Sequence, residues 1–241
     1  MYHPRLMGNH YDIGRHYGEL LAKSGIDLSP VLAIPEQQTA FGLSCLPIYE
    51  QYFPRIMQEV RGLADGLGQH YEVVACWLFA LYCFESDHGC SVFSVRSGEH
   101  IYFGRNMDMF PEYKKTSESV LYMPENKNIF LAHSTAMICV DDGMNEHGLA
   151  AALTFLLPKT VKPGINGGFL IRLILEECKE LLSGKRGFLC QYEKKLHFET
   201  IWSAVYDLNS LSHEICEGNP AKSAFRSDTR LAWGMNKAKR K

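Results

Sequence analysis

Apolar residues in the first part of the chain recur every three or four positions, which places them on one face of an α-helix. They include Ile48, Tyr52, Ile56, Val60 and Leu63. Pro54 predicts a kink or a helix start, and the glycines of residues 61–69 predict a helix end. Residues 73–84 are apolar and predict a buried helix. The pattern therefore predicts that the segment before Gly89 is wholly helical.

The pattern changes after Gly89, where short apolar segments alternate with turn residues. Residues 90–95 and 100–107 flank a Ser-Gly-Glu turn at 97–99, which predicts a β-hairpin. Further strands are predicted over residues 119–123, 129–133, 136–140 and 149–156. Residues 168–182 predict an amphipathic helix, residues 200–206 and 211–216 a second hairpin, and the remainder an irregular, polar end with a frayed tail.

Composition and charge narrow the class of protein. The chain has 241 residues, 46% of them hydrophobic, which is enough for a sizeable core. Lysine and arginine number 25 against 27 acidic residues, so the balance favours neither nucleic acid nor an anionic membrane as a partner. No segment has the character of a signal peptide or membrane span, which predicts a soluble, cytoplasmic protein. The cysteines other than Cys90 lie in apolar surroundings without metal-ligand spacing, so we expect reduced, buried thiols, no metal and no cofactor.

The helical and β-rich parts meet at Gly89-Cys90. The Cys90 thiol can attack the carbonyl of Gly89, and hydrolysis of the resulting thioester would leave Cys90 with a free α-amino group. An α-amine has an ordinary pKa of about 7.7 to 8.0, so it can serve as the nucleophile's own general base. The junction therefore predicts self-cleavage between residues 1–89 and 90–241.

Two charged residues follow Cys90 in the predicted hairpin. Arg105 and Asp108 would lie beside the thiol if residues 90 onwards pair with residues 100 onwards in antiparallel fashion. A guanidinium favours the thiolate, and a carboxylate can orient the α-amine. The alternative is an ordinary surface ion pair after a strand start, worth under about 1 kcal/mol.

Three motifs give the chain a resemblance to a known superfamily. They are Cys90-Ser91, the segment GRNMD at 104–108 and the segment DGMNEHGL at 142–149. In order and type they resemble signatures of the N-terminal-nucleophile hydrolases, which include choloylglycine hydrolases, penicillin V acylases and acyl-coenzyme A:6-aminopenicillanate acyltransferases. The long leader before Gly-Cys is more similar to the acyltransferase branch.

The resemblance implies a fold and a site. The fold would be an α+β protein with an αββα four-layer sandwich, preceded by a helical leader over residues 1–89. The site would contain Cys90 as nucleophile, Arg105 and Asp108 beside it, and an oxyanion-hole amide near Thr154. Asn145 is a further candidate, with a turn role as its alternative. The substrate would be a small acyl-amide or acyl-thioester.

One departure from the family affects activity. Relatives carry several strands, and an asparagine that completes the oxyanion hole, where this chain has only residues 183–199 without asparagine. We therefore expect an incomplete sheet within residues 90–241, an impaired enzyme, and sheet edges that invite a homo-oligomer.

Two other functions stay open at this point. The chain could be a catalytically silent relative that binds small molecules. A papain-like protease is a weaker alternative, because none of the histidines near the junction or the motifs has an accompanying signature. Those histidines are His88, His100, His133 and His147.

Overall fold

The computed structural model describes residues 1–81, 83, 89–109, 111–154, 160–178, 199–217 and 223–239. Within these residues the chain begins with one strand and several helices, continues through strands, and ends in a helix. The prediction of an α+β protein is confirmed.

The leader contains one strand as well as helices. Its elements are β1 (Arg5–Gly8), α1 (His10–Lys23), α2 (Ser29–Leu32), α3 (Glu36–Tyr52), α4 (Pro54–Leu67) and α5 (Tyr71–Ala80). Strand β1 pairs in parallel with a strand of the body, with Arg5 opposite Leu121. The prediction of a wholly helical leader is therefore wrong, because the leader supplies an edge strand to a sheet.

The proline and glycines of the leader act at different places. Pro54 is the first residue of α4, so it begins a helix, which is one of the two roles predicted for it. Gly68 ends α4 with a left-handed φ of 66°. Gly62, by contrast, lies inside the helix, where an added Cβ would come within 2.0 Å of the Tyr11 carbonyl oxygen. This glycine therefore permits close packing of α4 on α1 and does not stop the helix.

The body forms two five-stranded sheets. Its strands are β2 (Gly89–Ser97), β3 (His100–Met109), β4 (Glu118–Pro124), β5 (Phe130–Ser134), β6 (Asp142–Asn145), β7 (Ala150–Ala152), β8 (Glu199–Asp207), β9 (Ser212–Glu217) and β10 (Arg226–Asp228). The first sheet has the order β1-β4-β5-β6-β7, and the second has the order β10-β9-β8-β3-β2. All pairs are antiparallel except β1 with β4. A 3-10 helix covers Pro111–Lys115, and the helices of the body are α6 (Gly167–Glu177) and α7 (Arg230–Ala238).

Two sequence-based predictions for the body are wrong. Residues 136–140 form a buried turn, in which Met137 has a φ of 54° and the Ser134 hydroxyl donates a 2.6 Å hydrogen bond to the Cys139 carbonyl. An apolar run thus folds back on itself to fill the core. The chain end is not irregular either, because residues 226–238 contain β10 and α7. Strand β7 and helix α6 are shorter than predicted, and residues 155–156 and 179–182 of those predictions lie outside the described residues.

The described elements stack in three layers. One apolar core joins the leader helices and α6 to the first sheet, and another lies between the two sheets. On the far face of the second sheet, Phe93 and Val95 are about half exposed, at 51% and 49%. The described residues therefore give the order helices, sheet, sheet. Residues 183–198, which the resemblance predicts to be shortened, lie outside the described residues.

A buried ionic cluster connects the leader to the body. The Arg172 guanidinium on α6 donates to Glu176 at 2.6 Å and to Glu59 of α4 at 2.7 Å. His10 of α1 lies 3.1 Å from the second oxygen of Glu176. Arg172 and Glu59 are fully buried. Because one cation balances carboxylates from both parts of the chain, this cluster holds the leader against α6.

Replacement of Arg172 by Met should reduce the free energy of unfolding by about 3 to 5 kcal/mol, because it leaves two buried carboxylates without their cation. Urea denaturation followed by circular dichroism measures this. Arg15→Met removes an exposed pair with Glu19 and serves as the control, with an unchanged midpoint. Equal midpoints for the two variants would contradict the role of the cluster.

Candidate active site

Strand register brings Cys90 and Arg105 to one face of the β2–β3 hairpin. Cys90 is opposite Met107, and Val92 is opposite Arg105. Side chains two residues apart on a strand share a face, so Cys90 and Arg105 point the same way. Cys90 packs on the core between the sheets, which shows that this face is directed toward the first sheet.

The Arg105 guanidinium contacts the thiol directly. Its Nη2 donates to Cys90 Sγ at 3.3 Å and to the Leu153 carbonyl oxygen at 3.2 Å. Arg105 is only 1% exposed, whereas Cys90 is partly exposed. A cation beside a thiol stabilises its thiolate, and partial exposure leaves the sulfur accessible to a substrate. This arrangement can supply a nucleophile.

Asp142, at the start of β6, is the buried anion next to Arg105. Its Oδ2 lies 3.4 Å from Arg105 Nε, and its Oδ1 lies 2.7 Å from His133 Nδ1 and 2.5 Å from the Tyr206 hydroxyl. Burial alone would raise the pKa of Asp142, but His133, Arg105 and the Tyr206 hydroxyl outweigh it and hold the pKa below its ordinary value. Asp142 is therefore an anion at neutral pH.

Aromatic rings surround this group of charges. The Arg105 Cζ lies 5.0 Å from the centre of the Trp202 ring, and the His133 ring lies 4.7 Å from Trp202. His213 packs against His133 at 4.9 Å. Burial lowers the pKa of His213 to about 4, although the Asp228 carboxylate, 3.7 Å from His213 Nδ1, opposes this. His213 is therefore neutral at the pH where the thiol would act.

Asp108 lies across from the junction that we expect to be cut. It is opposite Gly89 in the β2–β3 register. Simple strand alternation would place Asp108 and Arg105 on opposite faces, but β3 has a bulge between Met107 and Asp108 where it pairs with β8. A bulge changes the direction of side chains. The role of Asp108 beside the thiol stays a prediction.

The peptide between Leu153 and Thr154 lies close to Cys90. The Leu153 carbonyl accepts from the same Nη2 that contacts the thiol, and the Leu153 amide donates to the Asp141 carbonyl at 2.9 Å. Arg105 thus links this peptide to the thiol. The predicted oxyanion-hole amide of Thr154 belongs to that peptide, and its role stays a prediction.

The Asn145 side chain binds backbone groups around the turn after β6. Its amide nitrogen donates to the carbonyls of Leu175 and Cys178, at 3.1 and 2.7 Å. Its oxygen accepts from the amides of His147 and Leu149, both at 3.1 Å. These bonds support the turn interpretation and attach β6 to the end of α6.

One group of residues has the geometry of metal ligands. Within the described parts of the chain, ligand atoms of His10, Glu59 and Glu176 lie within 4.8 Å of one another. Arg172 bonds to both carboxylates and already supplies the positive charge. The group fits an ion-pair cluster better than a cation site.

No helix of the described residues has both the length and the hydrophobicity needed to cross a bilayer.

Sequence reasoning missed the buried side chains that contact Arg105 or its partner Asp142. In the sequence, Asp142 is the first residue of the DGMNEHGL motif, but nothing assigns it a role. His133 is one of the histidines that no protease signature accompanies. Tyr206 and Trp202 lie within the predicted strand 200–206, and in the structure they share one face of β8. No local signal links the three segments that carry these residues.

The candidate site is the partly exposed Cys90 thiol beside the buried Arg105 guanidinium, and Cys90 lies at the start of a strand in a protein with two stacked sheets. A family model for acyl-coenzyme A:6-aminopenicillanic acid acyl-transferase matches residues 95–183, well under half of the chain. The matched segment contains Arg105, Asp108, Asn145 and Thr154 and begins after Cys90. The match supports the acyltransferase branch of the resemblance over those residues. No curated protein matches the chain significantly.

Replacement of Arg105 by Met should raise the pKa of the Cys90 thiol by about one to two units, because a hydrogen bond from a charged donor contributes about 1.5 to 3 kcal/mol. The rate of Cys90 alkylation as a function of pH measures this in a variant with the parent's circular dichroism spectrum. Arg96→Met removes an exposed charge from the same hairpin and is the control. A thiol pKa that is equal in both variants would show that the guanidinium does not act on the sulfur.

Proposed function

We propose that the chain is the precursor of a cysteine-dependent amidohydrolase or acyltransferase of the N-terminal-nucleophile type, with Cys90 as the nucleophile. The observation that carries the proposal is the 3.3 Å contact between Arg105 Nη2 and Cys90 Sγ. The acyltransferase family match adds support, since it covers Arg105 and Asp108.

The first reaction would be self-cleavage at Gly89-Cys90. The Cys90 sulfur attacks the Gly89 carbonyl carbon, the C–N bond breaks, and the nitrogen takes up the proton to become the α-amine of Cys90. Water then hydrolyses the thioester, which gives a Gly89 carboxylate and a free Cys90 thiol. The two fragments, residues 1–89 and 90–241, remain associated because β1 pairs with β4 and Arg172 binds Glu59.

Asp108 would act on the new terminus. Its register position opposite Gly89 puts its backbone next to the bond that is cut. After the cut, the α-ammonium of Cys90 occupies this place, and a carboxylate nearby can hold and orient it. Once the ammonium has released a proton to water, the neutral amine takes the thiol proton as general base.

The acyl-transfer step would use the same thiol on a small substrate. The thiolate attacks the acyl carbon of an acyl-amide or acyl-thioester, the α-ammonium that took the thiol proton returns it to the departing amine or thiol, and an acyl-Cys90 thioester forms. The Thr154 amide would donate to the tetrahedral oxyanion, since its peptide is linked to Cys90 through Arg105. Water or an amine then takes the acyl group and restores Cys90.

Intact-mass measurement of the purified chain tests the self-cleavage. We expect two masses that correspond to residues 1–89 and 90–241, and a single uncut mass for Cys90→Ala. Cys76→Ala is a matched control, because Cys76 is a buried thiol of the leader, and this variant should be cut. Cleavage that persists in Cys90→Ala, or a new terminus at any other residue, would refute the mechanism.

Turnover tests the second part of the proposal. Loss of one oxyanion donor costs about 10²- to 10³-fold in kcat, so the short 183–199 interval leads us to expect slow hydrolysis of N-acyl amides, penicillins and acyl-thioesters. A kcat/KM above about 10⁴ M⁻¹s⁻¹ would show that another group completes the oxyanion hole. If all of these substrates fail to acylate Cys90, the result favours the alternative that the chain is a small-molecule-binding protein.

A further inference from the structure

We propose that Asp142 is a positioning residue that, with His133 and Tyr206, holds the Arg105 guanidinium against the Cys90 thiol. This positioning role rests on the proposed function in one respect, which is that Cys90 is the nucleophile. The contacts come from strands of both sheets, so the group also fixes how the inner faces of the two sheets meet at the thiol.

The two ends of the guanidinium have different partners. Arg105 Nε lies 3.4 Å from Asp142 Oδ2, and Arg105 Nη2 lies 3.3 Å from Cys90 Sγ. A carboxylate on the Nε side limits rotation of the planar group and so directs Nη2 to the sulfur. A free arginine side chain has many rotamers, and a fixed partner reduces that freedom before the thiolate forms.

Asp142 is itself held in place on its other oxygen. His133 Nδ1 and the Tyr206 hydroxyl lie 2.7 and 2.5 Å from Asp142 Oδ1. All three side chains are fully buried. The carboxylate therefore has bonds from β5 and β8 and presents its remaining oxygen to Arg105.

The alternative is that Asp142 only balances the charge of a buried arginine. The two roles predict opposite effects of Asp142→Asn on the thiol. Loss of a nearby negative charge, with Arg105 still in place, lowers the pKa of Cys90. Loss of the hold on Arg105 withdraws the guanidinium from the sulfur and raises that pKa. The direction of the shift therefore separates positioning from simple charge balance.

The experiment is the pH profile of Cys90 alkylation by iodoacetamide between pH 6 and 10, followed by mass spectrometry on the peptide that contains Cys90. For Asp142→Asn we expect an upward shift of about one unit, which reduces the thiolate fraction about tenfold at neutral pH. An unchanged profile, or a shift to lower pH, would overturn the proposal. The other titratable groups around Arg105 and the thiol are His133, His213, Tyr206 and Asp108, which is opposite Gly89 in the hairpin. Of these, His213 stays neutral across the range because burial lowers its pKa to about 4.

Two further variants complete the test. Tyr206→Phe removes one hydroxyl from Asp142 without a change of charge, so it should shift the profile in the same upward direction by a smaller amount. If Asp142→Asn does not fold, this variant decides the question, and an unshifted profile overturns the proposal. Asp228→Asn is the matched control, because Asp228 is a carboxylate paired with Arg230 and 3.7 Å from His213. It should keep the parent's profile.

This measurement needs no turnover, and profiles are compared between variants in the same state, cut or uncut, because the α-ammonium formed by the cut itself lowers the thiol pKa. Alkylation reports the thiol in the cut or the uncut chain and needs no substrate. If Cys90→Ala is still cleaved while Asp142→Asn shifts the thiol upward, the proposed function fails and the positioning role stands. If cleavage depends on Cys90 but Asp142→Asn leaves the alkylation profile unchanged, the proposed function stands and the positioning role of Asp142 fails.

Discussion

The contact between the Arg105 guanidinium and the Cys90 thiol depends on a permanent cation being buried between two sheets. A buried guanidinium is costly unless a carboxylate and hydrogen bonds compensate it. Asp142 supplies the charge, and the Leu153 carbonyl accepts one N–H. The inner face of the second sheet cannot be wholly apolar at this point. The rings of Trp202, His133 and Tyr206 surround the charges and exclude water, which strengthens each interaction among them.

A second buried ionic cluster lies on the other side of the first sheet. Arg172 binds Glu59 of the leader, and the helix that carries Arg172 also accepts hydrogen bonds from Asn145 at the end of β6. Strand β6 begins with Asp142, which lies next to Arg105. A continuous set of contacts therefore runs from the leader, through α6 and β6, to the thiol. In the proposed precursor, the leader and the nucleophile would both depend on the position of β6.

The layer order of the described residues places the thiol in the interior of the stack. Leader helices and α6 cover one face of the first sheet, and the second sheet covers the other. The family resemblance predicts a further helical layer over the second sheet. Phe93 and Val95 lie on that outer face, and their exposure marks the surface that such a layer would cover in the αββα arrangement.

The sequence by itself determined the hairpin that carries Cys90 and Arg105, because strand alternation and a short turn are local properties that set which side chains share a face. It also determined the second hairpin, whereas for Pro54 it left a kink and a helix start open, and the structure has the start of α4. The tertiary structure alone decided that Asp142 pairs with Arg105 and that His133 and Tyr206 bind Asp142, since these residues come from strands whose pairing no local periodicity encodes. It also decided that Gly62 serves helix packing, that residues 136–140 turn back into the core, and that β1 joins a sheet of the body. For Gly62 and β1 the deciding contacts are with residues distant in sequence, namely Tyr11 and β4, and such contacts override the local conformational preference that a sequence pattern reports.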